Sequence, residues 1–437
     1  MKLPRIAGAA AGLLIVLVWA GCGDTFRPVV NPINRPGGDP QALELAFVLY
    51  EGVPLPSGTC AGELPPNDQP PCPGAVQTID VTGDSNINTR FVGRTPVYLT
   101  LISGTQVYTV NRADESLSSF FPLSGAATST ISLPAGAAPS FLAGGGIGLY
   151  VANSGLNSVS VVSPSQNALL TTVPVGANPV AVAVSPDNKK VYVANRDGNS
   201  VSVINTADNT VAATISVGTA PVFVVPNSKL NFVYVLNQGS GSLSVIDNSN
   251  DTVAATVDLP GAAGSNFMAY DSQSQRLYVT NPGSQSVTVL DASQNTPVVL
   301  KTVTDARLSN PRAVAPLPDG TRAYVVDAGS TTGCAGEADM GRVLEIATSN
   351  NTVSRCITVG KAPVWIAASG DSNKVLVPHQ AATISNGTVT IPIGTTIVQT
   401  ATGQVVADMP APFTDSNCSA EGANCIRMNP VLVVATP

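Results

Sequence analysis

One five-residue pattern returns along most of this chain at a nearly constant interval, and it restricts the available folds more than any other feature. Leu149-Tyr150-Val151-Ala152-Asn153, Val191-Tyr192-Val193-Ala194-Asn195, Val233-Tyr234-Val235-Leu236-Asn237 and Leu277-Tyr278-Val279-Thr280-Asn281 are its clearest copies. Val107 to Asn111 is an earlier one and Ala323 to Asp327 a later one. Val375 to His379 is a worn seventh, with Leu376 where tyrosine stood. The tyrosines at 108, 150, 192, 234, 278 and 324 lie 42, 42, 42, 44 and 46 residues apart. A fixed period of this length marks a stack of identical structural units.

Residues 179 to 217 show the parts of one unit. Pro179 to Val184 is an almost wholly apolar run, expected of a strand covered on both faces. Ser185-Pro186-Asp187-Asn188 has the chemistry of a turn, and Val191 to Asn195 reads as a second strand. Asp197-Gly198-Asn199 turns into Ser200 to Val203, whose strict alternation predicts a half-buried third strand. Ala207-Asp208-Asn209 leads to a fourth, Val211 to Val217. Four antiparallel strands in about forty residues describe a propeller blade; a sandwich would not repeat itself. Composition agrees: 39 glycines, 35 prolines and only 11% charged residues suit strands and turns, and hardly any segment has a helical period.

With these residues in view, the chain resembles the YVTN family of β-propeller repeats, whose signature Leu277 to Asn281 carries outright. The resemblance covers roughly residues 95 to 370. It implies an all-β propeller in a bacterial or archaeal surface or periplasmic protein, and it implies no particular reaction. The family is usually described as seven-bladed. Here the leading prolines of the inner strands, Pro96, Pro139, Pro179, Pro221, Pro311 and Pro363, mark six blades, and Gly264 stands in for a seventh proline. Asn429-Pro430-Val431-Leu432-Val433-Val434 repeats the start of an eighth just before the chain ends. Leu43 to Tyr50, Val76 to Val81 and Asn88 to Val92 supply its three missing strands from the other terminus. Eight blades are therefore expected over residues 43–437, with seven the alternative, and the two ends of the chain close one blade between them.

Four insertions interrupt the repeat: Glu51 to Gly74, Ala328 to Gly341, Gln380 to Thr395 and Pro412 to Met428. The first three join second to third strands, and the last joins an outer strand to the next inner one. Both kinds of connector leave the same end of an antiparallel blade, so all four are expected on one face over three adjacent blades. Long loops on a rigid scaffold are where binding usually resides, which makes Asp327, Glu337, Asp339, Asp415 and Glu421 the candidates for contact with a partner. The rival reading is drift, loops being tolerated there and stapled against proteolysis.

Ahead of the propeller, Lys2 and Arg5 precede an apolar stretch from Ile6 to Ala20, the form of a secretion signal. Val18-Trp19-Ala20-Gly21-Cys22 resembles the lipobox of bacterial lipoproteins, although Trp19 stands where leucine is usual. The resemblance implies removal of residues 1–21 and acylation of Cys22. Gly23, where inner-membrane lipoproteins of enteric bacteria have aspartate, implies the outer membrane. An ordinary signal peptide with an incidental cysteine is the alternative. Residues 22–42, rich in proline and glycine, would then be a flexible tether spanning roughly 25 Å.

Six cysteines remain after Cys22. An even number in an oxidising compartment reads as disulfides, and sequence proximity favours Cys60–Cys72, Cys334–Cys356 and Cys418–Cys425. Loss of Lys2 and Arg5 takes the formal charge from −7 to −9, which argues against nucleic acid and against charge-driven docking on anionic lipid. No CxxC occurs and the single histidine, His379, has no spaced partner, so no zinc site is expected. No catalytic residue is identified, because GxSxG, HExxH and Walker patterns are all absent. Asp327, Glu337 and Asp339 offer oxygens that calcium takes, but in no EF-hand spacing, so no cofactor is assigned. The repeated tyrosines are expected to pack between blades, and Trp365 to lie in the core.

The sequence therefore describes an exported, lipid-anchored, monomeric propeller whose looped face recognises an envelope protein or glycan. A lactonase-like periplasmic hydrolase acting in the central channel is the enzymatic alternative; it would require carboxylates with a metal or a histidine there. An envelope component without a specific ligand is the third.

Overall fold

The computed structural model describes residues 44–53, 72–102, 106–145, 148–261, 264–328, 333–338, 340–381, 383–385, 388–412 and 427–436. They form eight four-stranded antiparallel sheets and one small hairpin. Each inner strand contacts the inner strands of both neighbours, and the series returns on itself, so the sheets are blades around a central axis. Among the described residues the single helical element is a 3-10 turn at Pro282–Ser284, and no helix is long and apolar enough to cross a membrane.

Blade 3 shows how the repeat becomes structure. Its strands are Pro179–Val184, Lys190–Asn195, Ser200–Asn205 and Thr210–Ser216, in sequence order from the axis outward. Asn188, Asn199 and Asn209 hold the three turns with φ of 59°, 47° and 55°. Asparagine tolerates this left-handed region better than most residues, which explains its recurrence. Tyr192 and Val193 on the second strand are fully buried, on its two opposite faces, and the outer strand is mostly exposed. The third strand departs from expectation. Alternation predicted a solvent face, yet Ser200 and Ser202 are buried, because their hydroxyls accept hydrogen bonds from the Asn195 amide at 3.1 and 2.9 Å. A polar face can be buried when its hydroxyls are paired.

Blade 8 is assembled from both ends of the chain. Arg427–Ala435 is its inner strand, followed outward by Leu45–Val53, Cys72–Asp80 and Ser85–Arg94. Phe47 faces Val434 and Leu49 faces Leu432 across the joint, and the backbone N–H of Thr436 donates to the Leu45 carbonyl at 2.8 Å. The strand ending at Val53 and the strand starting at Cys72 shorten the first insertion at both ends relative to the sequence reading.

The core lies between blades rather than within one. Buried clusters combine Tyr108 with Leu142 and Val151, Tyr192 with Val233 and Val235, and Tyr278 with Val314 and Val325. Several tyrosine hydroxyls reach the third-to-fourth-strand turn of the following blade. Tyr108 donates to the Pro164 carbonyl, and Tyr192 to Asn248 Oδ1 at 2.7 Å. The tyrosines are inter-blade packing, as expected. Charged side chains make the same crossing where Lys190 meets Asp251 at 2.8 Å and Lys374 meets Asp84 at 2.7 Å, the second locking blade 7 to blade 8.

Candidate binding face and central channel

The strand order places the connectors after Val53, Asp327, His379 and Pro410 at the end of the ring where the inner strands begin, over blades 6, 7 and 8. The connector after His379 carries the hairpin Thr383–Ser385 with Thr388–Ile391. Beneath this face runs a repeated hydrogen-bonded latch. The asparagine ending the second strand donates to two hydroxyls of the third strand: Asn111 to Ser116 and Ser118, Asn153 to Ser158 and Ser160, Asn237 to Ser242 and Ser244. The glycine closing the preceding blade packs against that asparagine and donates its N–H to the second hydroxyl, as Gly93 does to Ser118. A β-carbon on Gly176 would come within 2.5 Å of the Asn195 amide. This contact explains why glycine closes the blade at these positions.

Blades 6 and 7 break the latch, and there the sequence candidates sort themselves. Asp327 takes the asparagine position of blade 6 and is completely buried. It accepts from the N–H groups of Ser309 and Asn310 at 3.0 and 2.6 Å and pairs with Arg342 at 3.0 Å. It belongs to the second strand, not to a loop, so its assignment as a binding-loop residue is corrected: its oxygens are committed inside the blade. Glu337 is exposed on the connector, where its carboxylate accepts from the Ala335 N–H at 2.9 Å. Asp339, Asp415 and Glu421 lie outside the described residues, as do Cys22, Cys60, Cys418 and Cys425. Cys334 and Cys356 are bonded to each other and tie the blade 6 connector to that blade's outer strand. Cys72 is also disulfide-bonded. Among the described residues, no three acidic, cysteine or histidine side chains group as a metal site.

His379 takes the asparagine position of blade 7 and is wholly buried against Gly360. Burial lowers its imidazole to about 4, with Asp408 pulling the other way. It is therefore neutral at physiological pH. Glu51, at the foot of the first long connector, is half-buried, and its carboxyl is raised by that burial. Arg307 binds Asp305 through two hydrogen bonds of 2.8 Å on the same face. Sequence reasoning did not single out Glu51 or Arg307, because nothing in the repeat distinguishes a residue at a strand end from one in a turn.

The inner strands bring an aromatic layer together across the axis. Two residues after the leading position, which Ser265 rather than Gly264 takes in blade 5, stand Tyr98, Phe141, Phe223, Phe267 and Trp365, all half-buried. Their rings form a continuous series: Tyr98 stacks on Phe141 at 4.0 Å, Phe141 meets Phe223 at 5.8 Å, Phe223 meets Phe267 at 5.0 Å, and Phe267 meets Trp365 at 5.0 Å. Blades 3 and 6 present only Ala181 and Ala313 at this level, so the contacts to Phe223 and to Trp365 pass in front of them. Burial pushes the Tyr98 hydroxyl up to about 12. Trp365 borders three core clusters on the channel side rather than sitting inside a blade, which refines the expectation that it is core. Among the described inner-strand side chains the charged ones are Arg312 and Asp271, and Asp271 is buried in its own turn, accepting from the Gln273 N–H at 2.8 Å.

Against known proteins, the sequence model of the lactonase family of seven-bladed β-propellers matches residues 165–257, under a quarter of the chain. No curated protein matches the sequence. Solved propellers resemble the structure broadly. Dihydro-heme d1 dehydrogenase NirN aligns with a TM-score of 0.65 at 12% identity, covering 92% of this chain and 76% of that one. AztD from Citrobacter koseri gives 0.59 at 12%, covering 90% and 99%. Hydrazine synthase from Kuenenia stuttgartiensis gives 0.55 at 18%, covering 71% and 97%. At such identities the likeness is one of fold.

Proposed function

We propose that this chain is an exported lipoprotein of the YVTN repeat type. Residues 1–21 are its signal, Cys22 its acylation site and residues 22–42 a tether. The propeller recognises an outer-envelope protein or glycan through the face over blades 6 to 8. The observation that carries this reading is the strand order, which brings four long connectors to one end of three neighbouring blades. The Cys334–Cys356 bond supports it by restraining one connector and lowering the entropy lost on binding. The acidic, lysine-poor composition supports anchoring by acyl chains rather than by charge.

Two experiments test it. Replacing Cys22 by serine is expected to move the protein from the membrane fraction to the soluble envelope fraction. Alanine replacement of the loop residues in 328–341 and 412–428 is expected to abolish partner recovery from envelope extract with the unfolding temperature retained. Undiminished recovery would remove the looped face from the reading.

A lactonase-like hydrolase is supported by the partial family match over residues 165–257. It needs a general base or a metal in the channel. Turnover of a lactone panel, lost on substitution of a channel residue, would favour the enzyme.

A further inference from the structure

The chain enters the ring on the face opposite the long connectors. Leu45 begins the second strand of blade 8 there, and that strand ends with Val53 on the looped face. Glu44, just ahead of it, is fixed on the entry face: its carbonyl accepts from the Val81 N–H at 2.9 Å and its carboxylate from the Asp371 N–H at 2.9 Å. Blade 1 lies beside blade 8, and its turn from the third to the outer strand opens onto this same face. The turn spans residues 121–128, against 164–167 in blade 2, and it holds no charged residue. Phe121 and Leu123 stand out from it, exposed by 47% and 61%, while Pro122 between them is buried. The outer strand of blade 8 holds the turn in place. Asn88 and Arg90 donate to the carbonyls of Pro122 and Ser124, and the Thr128 hydroxyl donates to the Phe91 carbonyl at 3.3 Å. Among the described residues, the other exposed large apolar side chains lie on outer strands at the rim, except Leu156 on the looped face.

We propose that Phe121 and Leu123 form a docking surface for the lipid bilayer, on which the ring rests beside its own anchor. This inference rests on the reading of Cys22 as acylated and of residues 22–42 as a tether. The occupant follows from where that tether joins the ring, at Glu44, on the face to which the turn opens and in the blade that holds the turn. A reach of roughly 25 Å brings this face to the bilayer. Two apolar side chains on an uncharged turn enter the interfacial region without carrying a charge out of water. On the same face the turns from first to second strands of blades 3, 4, 6 and 7 carry Asp187, Lys229, Asp319 and Asp371, which stay in water. The ring therefore tilts onto blades 1 and 8. The consequence is orientation: the long connectors point away from the membrane, toward a partner.

The test uses the full chain, expressed with its leader in a bacterial host, and membranes from that host fused with vesicles of phosphatidylcholine brominated on its acyl chains. Bromine quenches a tryptophan that touches the bilayer. Phe121→Trp and Leu123→Trp are compared with Leu156→Trp, a site on the looped face exposed by 42%, and with the wild type, which supplies the background emission. Loss of the added emission is expected for Phe121→Trp and Leu123→Trp, and none for Leu156→Trp. If one of the first two variants does not fold, the other decides. Equal quenching on the two faces, or none at 121 and 123 with the wild type still in the membrane fraction, would overturn the docking surface and leave the lipoprotein reading standing. Unquenched emission shifted to the blue would seat a protein or a second copy of this chain on the turn, and would overturn it likewise. Recovery of both the wild type and Cys22→Ser in the soluble fraction would remove the anchor, and the docking surface with it.

Discussion

At His379 the chemistry of the repeat is inverted. Five other blades carry an asparagine there that donates to two hydroxyls, and the imidazole replaces it in a fully buried position. Burial lowers its value from 6.5 to about 4. Between those limits the unfolded chain holds a proton that the folded chain cannot, so this contribution is intact above pH 6.5 and is lost as pH falls toward 4. At pH 5 the loss is about 2 kcal/mol. Guanidinium unfolding at pH 7 and pH 5 is expected to show that excess loss relative to His379→Asn, whose amide can reach Thr396 at the hydroxyl position. An equal pH response of the two proteins would refute it. In the intact latch of blade 3, Asn195→Ala removes the donor to Ser200 and Ser202 and is expected to cost about 2 kcal/mol in urea unfolding.

At the scale of the element, the outer strands and blade 6 stand out. In seven of the eight blades the third-to-outer pairing carries a register shift, between Val161 and Val162, Val203 and Ile204, Val245 and Ile246, and at equivalent places. These bulges twist the outer edge and discourage strand addition from another molecule. In blade 6 Arg342 and Leu344 take the places of the two latch hydroxyls, and Glu345 stands where blade 3 has Val203. Glu345, buried to 4% exposure, accepts from the Tyr324 hydroxyl at 2.8 Å and lies 3.6 and 3.7 Å from Arg322 and Arg355. The Cys334–Cys356 bond closes a loop with a sequence separation of 22, worth about 3 kcal/mol by chain entropy. Replacing both cysteines by serine is expected to lower stability by about that amount in guanidinium unfolding without reductant.

For the whole molecule, closure is the decisive event. The joint between Leu45–Val53 and Arg427–Ala435 pairs residues nearly the full chain apart, so its entropy is lost before its contacts form. Lys374 with Asp84, and the backbone contact of Thr436 with Leu45, reinforce it. A chain ending at residue 426 loses the inner strand of blade 8 and uncovers Phe47 and Leu49. It is expected to show a larger radius in solution scattering and rapid proteolysis from both termini. A compact, protease-resistant product would mean that seven blades close by themselves.

Sequence alone determined the blades, the shared closing blade and the side on which the long connectors leave, because period, turn residues and strand alternation are local properties and strand order follows from connection; it favoured eight blades over seven, and the ring has eight. It misjudged Ser200 and Ser202, read as a solvent face, and Asp327, read as a loop ligand. Whether a polar side chain meets water or a partner depends on the next blade, which local alternation does not encode. The aromatic series across the channel was equally illegible: Phe141, Phe223 and Trp365 stand far apart in the chain, and only the ring brings them to one axis.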